Sequence, residues 1–195
     1  AVTGIDLEHS EHRGIATYSK NLIRCLRMAG ASVWLITEAD PKIKLRGARN
    51  LPAGTRKIIK EALVLEYLNQ REGKHWRREW HLRFKFINKI FRILQEVVSR
   101  ILDNIRLIFY KPKPGFQLLL KDLEDNPYTR IERLDYLQYL EGILCIPKIF
   151  KASCSKKSKS VNLQLLGFDA LITTCPLNLL CSGPSKVIQT VHDLI

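Results

Sequence analysis

The chain has 195 residues, 46% of them hydrophobic and 26% charged, the balance of a folded domain with a real core and not of a disordered chain. It has no run of about 18 uncharged apolar residues, no basic and apolar leader over Ala1 to Asp6, and no CxxC pair among its five cysteines. A bilayer-spanning helix, a signal peptide, a disulfide framework and a zinc site are therefore not expected, and reduced thiols in a cytosolic protein are. The net charge of +13 is uneven: residues 42–60 hold seven basic and no acidic residues and residues 71–111 hold eleven against four, so a polyanionic surface, membrane or nucleic acid, is the natural partner of the middle of the chain.

The first predicted element is a short β-branched strand over Val2–Leu7, followed by a polar turn from Glu8 to Gly14. Ile15, Tyr18, Leu22, Ile23, Leu26 and Met28 then recur at mostly three- and four-residue spacing, and Gly30 is a good stop. Val33–Thr37 reads as a buried strand. Strand, turn, helix and strand this close together are joined economically only as a βαβ crossover with parallel strands.

From about residue 56 to 110 the pattern is helical, with a broad apolar stripe from Ile87 to Ile108, and Lys111-Pro112-Lys113-Pro114-Gly115 ends it. Residues 117–146 read as helical pieces separated by Asn126-Pro127. Lys151 to Ser160 reads as a mobile loop. Two more strands follow, Ala170–Thr174 and Lys186–Val191, both read as buried. The fold class is therefore α/β: a parallel sheet covered by helices on both faces, in a single domain spanning residues 1–195 with a basic helical insertion at about 42–160.

Two places carry candidate chemistry. Gly14, between the first strand and a helix, lets backbone approach a ligand, and the free N–H groups of the helix favour an anion; a plain tight turn explains the same residue. His192-Asp193 lie at the carboxyl end of the last strand, where open α/β sheets bind ligands, and a histidine there can hydrogen-bond a sugar hydroxyl or a phosphate; a satisfied histidine in a turn is the alternative.

Three motifs in order carry a resemblance. Arg13-Gly14-Ile15-Ala16-Thr17-Tyr18 and the following Leu22 resemble the stretch after the first strand of GT-B glycosyltransferases of the family 4 type. Phe168-Asp169-Ala170-Leu171-Ile172 resembles a later Asp-led strand of that domain. Thr190-Val191-His192-Asp193-Leu194 resembles its strand ending in His-Asp-Leu. The resemblance covers residues 1–37 and 161–195. It implies a Rossmann-like, amino-terminal, acceptor-side half of a retaining enzyme, whose donor-binding half is expected outside this sequence, so that the fragment alone is expected to be inactive. The activity it implies is transfer of a sugar from a nucleotide diphosphate sugar to a glycan or lipid-linked acceptor, without metal or cofactor. By the same resemblance His192 would be catalytic, and Arg13, Gly14, Ile15 and Asp193 would bind substrate. His12 and Arg13 depart from the small residues that the family often has before its motif glycine.

The segment His75-Trp76-Arg77-Arg78-Glu79-Trp80-His81-Leu82-Arg83-Phe84-Lys85-Phe86 mixes aromatics with cations as interfacial helices do. Trp76, Arg77, Arg78, Trp80, Arg83 and Lys85 are the candidate contacts to an anionic membrane surface, which would make the protein peripheral on the cytoplasmic side. A helix that packs its stripe on the domain and leaves its cations solvated is the alternative. No nucleic-acid-binding motif occurs, so nucleic acid is not expected as a partner. Beside the transferase stands a second reading: a non-catalytic, basic α/β domain that binds a membrane surface or a partner.

Overall fold

The computed structural model describes residues 1–8, 13–41, 50–69, 110–112, 115–120, 132–154 and 160–190. Strand β1 (Val2–Thr3) and strand β2 (Trp34–Thr37) run parallel, with Val2 opposite Leu35 and Thr3 opposite Ile36. Between them lie helix α1 (Ile5–Glu8) and helix α2 (Arg13–Met28). Ser19 and Ile23 of α2 are fully buried four residues apart, and Ala16, Leu22 and Leu26 pack half-buried beside them. The helix ends at Gly30, whose φ of 84° suits glycine. The Gly30 N–H bonds the Arg27 carbonyl at 3.0 Å and the Ala31 N–H bonds the Leu26 carbonyl at 3.0 Å, the two bonds of a Schellman cap.

The first strand is shorter than the expected 2–7. After Thr3 the chain turns at Gly4, where a Cβ would lie 2.9 Å from the Ile36 carbonyl oxygen. The N–H groups of Leu7 and Glu8 bond back to the Gly4 carbonyl at 3.0 and 3.1 Å, so Ile5–Glu8 wind into a helical turn. Winding buries Leu7 in the core and brings Asp6 and Glu8 to polar partners. Gly14 likewise lies in the first turn of α2 rather than in the preceding turn. It is exposed, and a Cβ there would meet nothing within 4 Å.

Helix α3 (Ala53–Asn69) begins the expected helical region and buries Val64, Leu65 and Leu68; the remainder of that region, residues 70–109, lies outside the described residues. The expectation of helical pieces over 117–146 is corrected. Strand β3 (Phe116–Leu119) and strand β4 (Gly142–Cys145) flank a 3-10 helix (Glu132–Tyr139). β4 pairs parallel with β2, and β3 pairs antiparallel with β4. Their strand character comes from the pairing: Gly142 sits where a Cβ would lie 2.6 Å from the Trp34 ring, so β4 docks against β2 only with glycine there. Within the segment expected to be a helical insertion, between β2 and β6 (Ala170–Thr173), β3 and β4 are thus strands of the sheet. The expected loop from Lys151 begins inside helix α4 (Ile149–Ser153).

Among the described residues the sheet has six strands in the order β3-β4-β2-β1-β6-β8, where β8 is Lys186–Gln189. Every pairing except β3–β4 is parallel. Strand β5 (Val161–Gln164) and strand β7 (Leu179–Ser182) form a separate parallel pair. The four strands near 2–7, 33–37, 170–174 and 186–191 do lie parallel in one sheet, as the βαβ pattern predicts. β8 is not buried as expected: all four of its residues are exposed, because it is the last strand of the sheet with β6 as its one neighbour there.

Two cores cover the two faces. Val2, Leu35 and Ile143 pack with Leu7 of α1, Ile23 of α2, Val64 and Leu65 of α3, and Leu134 and Leu137 of the 3-10 helix. Ile36, Leu144 and Leu171 pack on the other face with Ile149 and Phe150 of α4, Leu163 of β5 and Leu179 of β7. Burying each of these side chains contributes about 1.5–3 kcal/mol. The architecture is α/β with a mostly parallel sheet flanked by helices, compatible with a Rossmann-like arrangement. No helix among the described residues is long and apolar enough to cross a membrane.

Candidate functional site

The strand order itself selects a position. From β1 the chain moves outward to β2, then to β3 at the far end of the described sheet and back to β4 between β3 and β2, and returns to the opposite side of β1 with β6 and β8. The connection leaving β1 packs on one face, with Leu7 and Ile23 in the first core. The connection leaving β6 packs on the other, with Leu177 and Leu179 in the second. In open α/β sheets the position where two connections part to opposite faces, at the carboxyl ends of their strands, is where ligands bind in a crevice.

Acidic and hydroxyl side chains gather at that edge. Asp6 of α1 is buried and accepts a hydrogen bond from the Thr174 hydroxyl, just past β6. The Thr174 N–H donates to Thr3 Oγ1 at 3.3 Å, so the ends of β1 and β6 are tied at this point. Glu8, two residues beyond Asp6, is also buried. Its Oε2 accepts from the Tyr67 hydroxyl of α3 at 2.9 Å and its Oε1 from the Glu38 N–H at 3.1 Å, with the Thr37 hydroxyl as a further partner. The Glu38 carboxylate accepts the Lys151 N–H of α4 at 2.7 Å.

Burial pushes the Glu8 carboxyl up to about 8; its hydrogen-bond partners Thr37 and Tyr67 oppose the shift and the Glu38 carboxylate adds to it. Glu8 is therefore largely a neutral acid at pH 7. Burial, and then the charge of Glu8, holds the Tyr67 phenol far above its ordinary value. Thiols near this edge are equally suppressed. Burial pushes Cys145 up to about 12, with Glu8 and Asp40 adding to it, and pushes Cys175 up to about 12, with Asp6 adding to it. A thiol so shifted is not a thiolate near neutral pH, so neither is placed to act as a nucleophile. Among the described residues no group of three or more His, Cys, Asp or Glu side chains has the geometry of a metal site.

The residues singled out from the sequence meet this edge unevenly. Arg13, Gly14 and Ile15 form the first turn of α2, which packs against α1. Gly14 is exposed and Ile15 half-buried. β8 runs parallel to β6, and the Thr190 N–H donates to the Thr173 carbonyl at 2.9 Å, so the chain leaves β8 at the same carboxyl edge. His192 and Asp193 themselves lie outside the described residues, as do Trp76, Arg77, Arg78, Trp80, Arg83 and Lys85. Asp6, Glu8, Glu38 and Thr174 were not expected. Asp6 fell inside the expected strand Val2–Leu7 and Glu8 at the start of the expected polar turn, so neither stood out as a buried acid. The available signal was Gly4, a break in the strand just before them.

A cleft of about 600 Å³ opens at the opposite, amino edge, lined by Ala1, Ser32, Trp34, Gln117, Phe168 and Asp169 among others. Trp34 and Phe168 meet edge to face there, with ring centroids 5.8 Å apart. Among the described residues that line it, Asp169 has the one ionisable side chain. The buried, hydrogen-bonded carboxyls and the parting connections favour the carboxyl edge as the functional one over the cleft at the amino edge.

The fold is that of an α/β protein with a mostly parallel sheet flanked by helices, whose connections part to opposite faces at the carboxyl ends of β1 and β6. Comparison with protein-family models, curated proteins and solved structures finds no match to the chain.

Proposed function

We propose that this chain is the amino-terminal, acceptor-side half of a GT-B glycosyltransferase of the family 4 type, which transfers a sugar from a nucleotide diphosphate sugar to a glycan or lipid-linked acceptor with retention. The observation that supports the reading is the parting of the connections at the carboxyl ends of β1 and β6, where the buried carboxyls of Asp6 and Glu8 lie. Carboxyl and hydroxyl groups are suited to sugar hydroxyls, because each can accept or donate hydrogen bonds without requiring a charged ligand. In this reading Asp6, steadied by Thr174, takes an acceptor hydroxyl. The first turn of α2, with Arg13, Gly14 and Ile15, faces the donor phosphates, and His192 faces the reaction centre with Asp193 beside it. The donor-binding half and its nucleotide pocket belong to a second domain. The basic segment 71–111 would hold the crevice beside a lipid-linked acceptor at the cytoplasmic face of a membrane.

The test is release of nucleoside diphosphate from a panel of nucleotide sugars by the gene product that carries this chain, with oligosaccharide and lipid-linked acceptors. Asp6→Asn and His192→Ala are each expected to lower transfer at least about tenfold, the scale of a lost hydrogen-bonding or acid–base group. Folded variants with unchanged rates would remove both residues from the site. Absence of turnover with every donor would favour the alternative, a non-catalytic basic domain that binds a membrane surface or a partner.

A further inference from the structure

Trp34, the first residue of β2, belongs to neither of the two cores. Its ring is nevertheless held in place. On one side it lies against the backbone of Gly142, where a Cβ would come within 2.6 Å of it, and on another Phe168 meets it edge to face at 5.8 Å. The residue is only half-buried, and it lines the cleft of about 600 Å³ at the amino edge. A tryptophan outside the cores but fixed in orientation has lost its rotamer freedom before any ligand arrives, which lowers the cost of binding one.

The size and the lining select the ligand. A cleft of this volume holds a small molecule. Beside the aromatic rings, its polar side chains are the Gln117 carboxamide, the Ser32 hydroxyl and the Asp169 carboxylate. The Ser32 hydroxyl donates to Glu141, whereas the side chains of Gln117 and Asp169 make no hydrogen bond with another described residue. No Lys, Arg or His lines the cleft among the described residues, so its side chains offer a phosphate or carboxylate ligand no counter-charge, and Asp169 repels it. An aromatic surface flanked by a carboxamide and a carboxylate is complementary to a neutral sugar. Such a ring has an apolar C–H face for the aromatic and hydroxyls that both donate and accept.

We propose that the amino-edge cleft is a second site, for binding alone, which takes a neutral sugar ring with its C–H face on Trp34 and its hydroxyls bonded to Gln117 and Asp169. The site lies at the end of the strands opposite Asp6. The inference goes beyond the transferase reading and does not rest on it, because it is read as binding, without donor or turnover.

Titration of the chain with neutral trisaccharides of glucose, mannose and galactose tests it, read at the Trp34 indole N–H resonance, which Trp34→Phe assigns among the three tryptophans of the sequence. A saturable shift with at least one of them is expected. Gln117→Ala, at an exposed position of β3, and Asp169→Ala are each expected to weaken that binding about threefold to tenfold, the loss of one hydrogen bond. Asp169→Asn, which keeps a hydrogen-bonding group, is expected to retain it. Spermidine is the control for a cationic ligand, whose binding Asp169→Asn would abolish. No saturable shift with any of the sugars overturns the inference, as does a shift produced by spermidine alone. Sugar binding that is unchanged in both Gln117→Ala and Asp169→Ala also overturns it, because the sugar then lies elsewhere. If Trp34→Phe does not fold, calorimetric titration of the Gln117 and Asp169 variants decides by the same criteria.

Discussion

The Thr174 hydroxyl donates to the Asp6 carboxylate across 168 positions of sequence, and through that one bond the end of β6 holds the first helical turn after β1. Both residues are buried, so water does not replace a lost partner. Thr174→Val keeps the shape of the side chain and removes the donor. It is expected to destabilise the chain by about 1–3 kcal/mol, the cost of leaving a buried acceptor unpaired, read as a lower urea midpoint at unchanged slope. Asp6→Asn, which retains an acceptor, is expected to cost less than Asp6→Ala.

Stability is expected to fall as pH rises from about 5 to about 8. The folded chain holds the Glu8 proton up to about 8, whereas the unfolded chain releases it in the ordinary carboxylate range. The folded state thus carries more protons over that interval, and each pH unit costs about 1.4 kcal/mol for this one group. Urea unfolding at half-unit intervals of pH, compared with the same series for Glu8→Gln, isolates the contribution. A difference between the two proteins that is flat over the interval would contradict it.

Three glycines separate structural from functional need. Gly4→Ala would press a Cβ to 2.9 Å from the Ile36 carbonyl oxygen, and Gly142→Ala would press one to 2.6 Å from the Trp34 ring; both are expected to lower the thermal midpoint. At Gly14 a Cβ meets nothing within 4 Å and the residue is helical, so Gly14→Ala is expected to stabilise by about 0.5–1 kcal/mol. If the first turn of α2 must lie against donor phosphates, the same variant loses transfer while gaining stability. A Gly14→Ala protein that is more stable and fully active would show that the glycine is only a tolerated helix residue.

Membrane contact is tested with liposomes. Each Lys or Arg close to an anionic bilayer adds about 1 kcal/mol, so the surplus of cations in residues 71–111 supports reversible adsorption. Binding is expected to acidic and not to neutral liposomes, to weaken as salt shortens the Debye length, and to vanish when Arg77, Arg78, Arg83 and Lys85 are changed to Glu. Equal binding to both liposome types, or none to either, would favour the packed-helix alternative, as would burial of Trp76 and Trp80 in the core.

The sequence by itself determined the parts of the fold whose instructions are local. α2 has its apolar face at helical spacing and its stop at Gly30, where the positive φ and both capping bonds are found. The parallel placement of β1 with β2 and of β6 with β8 follows from their short connections, whereas the pairing of β6 with β1 joins segments far apart in the chain. Only the tertiary structure decided β3 and β4. Phe116–Leu119 and Gly142–Cys145 are four residues each, too short to show a period, and become strands by pairing with each other and, through β4, with β2. Tertiary structure likewise exposed β8, since a Lys-Val-Ile-Gln segment does not say whether it is central or last. It also assembled the carboxyl edge. Asp6 and Glu8 of α1, Tyr67 of α3 and Thr174 just past β6 come from three separate segments of the chain, and the shift of Glu8 exists because the folded chain withdraws it from water. Burial of a single group is a property of everything packed around it, and no window of sequence contains that.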